Sequence, residues 1–203
     1  MWGGMTRRYT LGKRAEAKEQ TRDRILRATM QVHDEKGVAP TTFADVAARA
    51  GVGQATVSRY FPTIGDLVQA CGQHVWLEMR PPVPDMAKDV FAGIEGLDAR
   101  LQKLVEEVDD FYARGALRLD LASRDRDLIP QLDGFLSAVE AGVAALVREA
   151  LAPFAPGEEA LEVATALMGF RVWQSFRRTA VPAGRLPVLR VRLLRCALKA
   201  ADA

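Results

Sequence analysis

Cysteine and histidine are scarce: two of each occur among 203 residues. Cys71 and Cys196 lie far apart, without metal-ligand spacing, which argues against a disulfide scaffold or a zinc site and leaves free thiols as the expectation. No apolar run approaches the ~18 residues of a membrane span. The basic opening MWGGMTRRYTLGKRAEAKEQ also lacks the apolar stretch of a secretory signal, so a cytoplasmic protein without a membrane partner is expected. Sustained alternation of apolar and polar residues is missing, which removes sheets. There is no glycine loop for phosphate and no His/carboxylate pair at metal-motif spacing, so the usual equipment of an enzyme is absent and no cofactor or metal is expected.

What is present is an ordinary globular composition, 49% hydrophobic and 27% charged. The net charge of +2 conceals an asymmetry. Met1 to Pro62 holds 11 Lys and Arg against 6 Asp and Glu, whereas the remainder holds 17 against 20. A basic segment beside an acidic one points to a polyanion partner for the former, or to a solvated basic tail.

Apolar residues recur at three- and four-residue spacings almost throughout, which predicts an all-α chain. A first helix is expected from Glu16 or Thr21 to Lys36, burying Ile25, Ala28, Thr29 and Val32, with Gly37 at its end. Thr42 and Asp45 have the spacing of a capping box, which starts a second helix over 43–50 that Gly51 stops. A third, about Gln54 to Phe61, spans only ~12 Å and needs Val52, Val57 and Phe61 as anchors. A fourth runs over about 64–79 until Pro81-Pro82-Val83-Pro84 breaks the chain. Further helices are expected near 96–121, 125–129, 131–152, 158–179 and 186–201.

Two helices joined by a tight glycine turn, the second short and polar outside, make the pattern of a helix-turn-helix. The short helix then enters the major groove. Gln54 and Arg59 suit adenine and guanine edges, Ala55 or the Thr56 methyl suits a thymine methyl, and Thr56, Ser58 and Tyr60 suit phosphates. A helical hairpin that happens to contain a polar short helix is the plainer alternative.

The run TTFADVAARAGVGQATVSRYFPTIGDLVQA, preceded by TRDRILRATMQVHDEKGV, resembles the N-terminal domain of the TetR family of one-component transcriptional regulators. GVGQATVSR alone also resembles the opening of LacI-family repressors, but here a long helix precedes it. The TetR resemblance implies a three-helix helix-turn-helix domain over 21–80 with a linking helix, then a helical regulatory and dimerisation domain over 81–203. It also implies a homodimer on a double-stranded DNA operator and a small-molecule effector that alters operator affinity, most often by releasing a repressor. Thr42 matches a threonine that caps the second helix and touches phosphate, and Thr56 and Tyr60 match habitual contact positions. The sequence departs from the family at Gly53, Ser58 and Ile64, where a cap and two phosphate partners are usual, and at His33 and Val38, where aromatic core residues are frequent. Residues 1–20 read as a flexible basic arm, with Arg7, Arg8, Lys13 and Arg14 able to follow phosphates or enter a minor groove.

In the second domain the stretch AALEVATALMGFRVWQSF is apolar on nearly every side, so one side is expected to meet a partner subunit. Ala164, Thr165, Met168, Gly169 and Val172, with Leu189 and Leu193 of the last helix, are the candidate dimer interface. Trp76, Phe111, Phe135, Met168, Trp173 and Phe176 are the candidate ligand-binding residues, though such side chains also build ordinary cores. Arg171 is expected to pair with Asp109 or Asp110 or with a ligand anion. Two other readings stay open: a helical ligand-binding or interaction protein that has lost DNA affinity, and an enzyme on a helical scaffold.

Overall fold

The structure, a computed structural model, describes residues 6–201, with side-chain surroundings over 12–200. Among the described residues there is no strand. The α-helices are α1 (Thr6–Lys36), α2 (Phe43–Ala50), α3 (Gln54–Tyr60), α4 (Ile64–Met79), α5 (Ala87–Val90), α6 (Leu97–Asp125), α7 (Pro130–Leu151), α8 (Glu158–Leu167), α9 (Phe170–Arg177) and α10 (Leu186–Ala201). The chain forms two compact units: residues up to Val75 together with Leu121–Leu132, and Trp76–Asp120 together with Asp133 onward. The division thus falls inside α4, before the proline run, and the turn after α6 belongs to the first unit.

In that unit, α1 buries Ile25, Ala28, Thr29 and Val32, the face expected from spacing. Ile25 and Ala28 pack, with Leu26 and Met30, beside Val46, Ala47, Ala50, Val57, Phe61, Leu67 and Cys71. The Thr29 hydroxyl disposes of its buried proton by donating to the Ile25 carbonyl at 2.8 Å. One expectation is corrected: α1 begins by Thr6, so the segment read as a flexible arm is helical from there, while Met1–Met5 lie outside the described residues. The alternating Ala, Glu and Lys of residues 15–19 favour helix, and extending a packed helix avoids the cost of a new nucleus.

The turn between α1 and α2 is held from a distance in sequence. The Asp125 carboxylate, at the end of α6, accepts the backbone N–H groups of Val38 at 2.9 Å and Ala39 at 2.8 Å. Both donors would otherwise be orphans of a loop. The separate short helix expected over 125–129 does not form, because α6 continues through Asp125 to reach this position. His33 is buried near the same carboxylate. Burial pulls its imidazole down to about 4, against a smaller upward pull from Asp125.

The second unit is centred on α6 and α7, whose Leu101, Leu104, Val105, Val108, Val143 and Val147 are almost wholly buried. A Cβ at Gly142 would meet the Pro82 carbonyl oxygen at 1.9 Å, so the proline run seats directly on α7 where that helix has no side chain. The helix expected over 158–179 is broken in two. Gly169 is extended, with ψ 149°, and restarts the chain as the N-cap of α9. The break frees the Met168 carbonyl, and the buried Tyr112 hydroxyl donates to it at 3.0 Å.

His33 predicts a pH dependence. Its pKa in the folded chain lies below the ordinary value of 6.5, so below pH 6.5 the unfolded chain binds the extra proton. Stability is therefore full above pH 6.5, falls by about 3 kcal/mol towards pH 4, and levels off beneath it. Urea unfolding followed by circular dichroism at pH 7 and pH 4.5 measures this, and His33→Phe removes that part of the difference.

Candidate nucleic-acid interface

The site is built on α2 and α3. At the start of α2 the Thr42 hydroxyl accepts the Asp45 N–H at 3.2 Å while the Asp45 carboxylate accepts the Thr42 N–H at 2.8 Å, the reciprocal box that the spacing predicted. Gly51 closes the helix in the left-handed region at φ 63°, and the Val52 N–H returns to the Ala47 carbonyl at 3.1 Å. Gly53 then caps α3 without a side chain. The same T-x-x-D pattern starts α4: the Thr63 N–H meets the Asp66 carboxylate at 3.0 Å, and the Asp66 N–H meets the Thr63 hydroxyl at 3.0 Å. This second box was legible in TIGD but escaped the sequence reading.

Among the seven residues of α3 only Val57 is buried, and Phe61 follows directly as a second anchor. Gln54, Ala55 and Arg59 are exposed, and Thr56, Ser58 and Tyr60 are half-buried. The six side chains expected to face DNA therefore all retain surface, and the structure brings them together on one braced helix. Two hydroxyl assignments change. Ser58 donates to the Gln54 carbonyl at 3.3 Å, and Thr42 donates to Asp45, so neither proton is free for a phosphate in this state. Arg59 lies with its guanidinium 5.7 Å from the Tyr60 ring centre.

Two ion pairs lock α1 to α2. Arg49 holds Glu35 through both guanidinium nitrogens at 2.8 and 2.6 Å, and Lys36 holds Asp45. The lysine and the capping hydrogen bonds keep the Asp45 carboxyl well below the usual range, and the hydrogen bond from Arg49 lowers that of Glu35. These positive groups are thereby matched within the fold.

A capped helix, a left-handed glycine turn and a short, polar, singly anchored helix form a helix-turn-helix. The model of bacterial regulatory proteins of the tetR family matches residues 25–71. Residues 25–71 are thus similar to the DNA-binding domain of the TetR family. The transcriptional repressor LfrR of Mycolicibacterium smegmatis is 46% identical to it over 59 residues, which is 29% of this chain and 30% of that protein. The chain thus matches under a third of that relative's length. Over most of its length the fold is similar to the hemolysin II transcriptional regulator HlyIIR, with TM-score 0.59 at 16% identity over 87% of this chain and 97% of that one. It is also similar to the multidrug binding protein EbrR complexed with imidazole, with TM-score 0.61 at 21% identity over 88% and 90%. In this chain a second, helical unit accompanies the helix-turn-helix.

In that second unit, Phe111 and Trp173 meet around Tyr112, whose ring centre lies 5.2 and 5.6 Å from theirs, and Phe170 stacks on Trp173 at 5.8 Å. Tyr112 and Phe170 were missed, although Phe170 stands three residues before Trp173 on one helical face. Met168 joins the group through its carbonyl. Trp76 and Phe135 form an edge-on pair of their own at 5.7 Å, and Phe176 is half-buried. Ala164 and Met168, both 0% exposed, face the interior of the protomer and offer nothing to a partner, which corrects their place in the expected interface. Thr165, Gly169, Val172 and Leu189 are half-buried and Leu193 is exposed. Val163 and Val188 are also exposed on α8 and α10 and were overlooked.

Asp109 is paired with Arg190 of α10, a residue the sequence reading did not single out, while Arg171 is exposed. Arg190 also donates to the Met168 sulfur at 3.4 Å, and burial lowers its guanidinium to about 10. Its register with Leu186, Leu194 and Leu198, every fourth residue, was the overlooked sign that it points inward.

Arg59→Ala is expected to weaken binding by about 1–3 kcal/mol in a sequence-dependent way, as a guanine contact would. Titration of matched and single-base-substituted duplexes measures it. An equal loss on every duplex moves Arg59 to phosphate.

Proposed function

We propose that this chain is a ligand-responsive transcriptional regulator that binds a near-palindromic operator as a homodimer and is released by a small molecule. The observation that carries this is α3 itself, which buries Val57 alone, exposes Gln54, Ala55 and Arg59, and leaves part of Thr56, Ser58 and Tyr60 at the surface. A helix so exposed has little use in a core and the right size for a major groove. In this reading Thr42 and Ser58 reach phosphate by turning their hydroxyls from Asp45 and Gln54. No helix among the described residues is long and apolar enough to cross a membrane, and none of their His, Cys, Asp and Glu side chains cluster as a metal site. The reading is of a cytoplasmic DNA-binding protein that is not an enzyme.

Dimerisation is proposed through α8, α9 and α10. Leu189, Leu193, Cys196 and Ala200 recur at helical spacing along α10, and all but Leu189 are exposed, beside Val163 of α8. Thr165, Gly169 and Val172 border this surface. An isologous pair would present two α3 helices to half-sites about one helical turn apart.

The effector site is proposed among Phe111, Trp173, Met168 and Phe176, with Trp76 and Phe135 as a second aromatic pair. Three continuous helices, α4, α6 and α7, have residues in both units. A ligand that prefers one placement of α6 would act on the α1–α2 turn through Asp125, shifting the population towards half-site spacings that no longer match DNA.

Selection of duplexes from a random pool by the purified protein at about 0.15 M salt tests the function. A two-fold symmetric motif is the expected outcome, and failure of folded, ligand-free dimer to enrich any motif would sink the reading. Val163→Glu with Leu193→Glu should give monomers by sedimentation and lose the symmetric motif. Persistent dimers would place the interface elsewhere.

A further inference from the structure

The outer part of α1 has no structural duty that its burial explains. Residues 12–20 are all exposed, and the packed face begins only near Ile25. Yet α1 has 31 residues, and this segment extends it by several turns beyond the core. Its charges are sorted. Arg14, Lys18 and Arg22 recur every fourth residue and so lie within about 80° of one another around the helix, whereas Glu16 and Asp23 fall on the other side and Glu19 borders the stripe beside Arg22.

The position of this stripe is set by its inner end. The Arg22 guanidinium lies 5.6 Å from the centre of the Phe61 ring, and Phe61 is the residue that ends α3. From beside the end of the recognition helix the stripe runs outward through Lys18 and Arg14, at about 6 Å per step. Lys36 and Arg49 are held by carboxylates of the fold and Arg22 lies 3.7 Å from Glu19, so Arg14 and Lys18 are the outer cations of the stripe. A row of cations starting where a DNA-reading helix ends is complementary to the phosphates that continue past a half-site.

We propose that the Arg14–Lys18–Arg22 face of α1 is a second DNA-contacting surface, gripping phosphates of the duplex that flanks each half-site, irrespective of sequence. The proposal rests on the DNA-binding reading above. It extends the footprint of each protomer and adds affinity that falls steeply with salt.

The test compares the full-length chain with Arg14→Ala/Lys18→Ala, using the selected operator either trimmed to its core or extended by about ten base pairs on each side, a further helical turn. Affinity is measured across a salt series, and circular dichroism checks that helix content is kept. On the extended duplex the double variant should bind roughly tenfold more weakly at about 0.15 M salt. Its slope of log affinity against log salt should be shallower by about 0.9 for each phosphate no longer neutralised. On the trimmed duplex the two proteins should match. Arg24→Ala/Arg27→Ala removes the same charge outside the stripe and should leave the slope on the extended duplex unchanged. Equal slopes for wild type and Arg14→Ala/Lys18→Ala on the extended duplex overturn the proposal. So does an equal loss on the trimmed duplex, or an equal loss from the Arg24/Arg27 pair. These results leave the DNA-binding reading intact, whereas absence of salt-dependent binding by the intact chain removes both.

Discussion

A helix of seven residues does not stand by itself, and the first unit is arranged around that constraint. Val57 and Phe61 are the apolar anchors of α3, and they need α1 and α2 in fixed relation to receive them. That relation is secured by the capping box at Thr42, the Gly51 stop and the Arg49–Glu35 clamp. Because so few side chains hold α3 inward, nearly all the others remain available at the surface. Weak burial and readiness to bind are the same property here.

The parts of the fold that local chemistry dictates were legible in the sequence. Helical spacing located α1's buried face, and Thr42, Asp45 and Gly51 marked both ends of α2. The set from Gln54 to Tyr60 was legible for the same reason, since a short polar helix after a glycine turn restricts what its surface can be. What escaped depended on partners distant in the chain. Nothing near Asp125 says that its carboxylate meets backbone groups at Val38 and Ala39. The break at Gly169 was hidden by apolar neighbours on both sides, and Ala164 looked like an interface residue because small residues suit close packing inside a protomer as well as between two.

Two buried arginines illustrate a related limit. Arg100 donates to the carbonyls of Ala150 at 2.8 Å, Phe91 at 3.2 Å and Ile94 at 3.0 Å, and it lies over the Phe91 ring. It ties helix ends together as a purely structural cation. Arg190, by contrast, has a carboxylate and a thioether, and its Nε meets no acceptor among the described residues. The same residue type at similar depth is thus well provided in one place and thinly in the other. Polar provision inside the helical domain is uneven, with the thin part beside the aromatic group around Tyr112.

Asp125 grips main-chain N–H groups, and the consequence concerns how such a protein can vary. A bond made to peptide groups is indifferent to the side chains that carry them, so residues 38 and 39 can change while the joint survives, provided neither becomes proline. The carboxylate has no such latitude. If the α1–α2 turn were exchanged for that of a relative, compatibility would rest on a single acid meeting a loop of the right length.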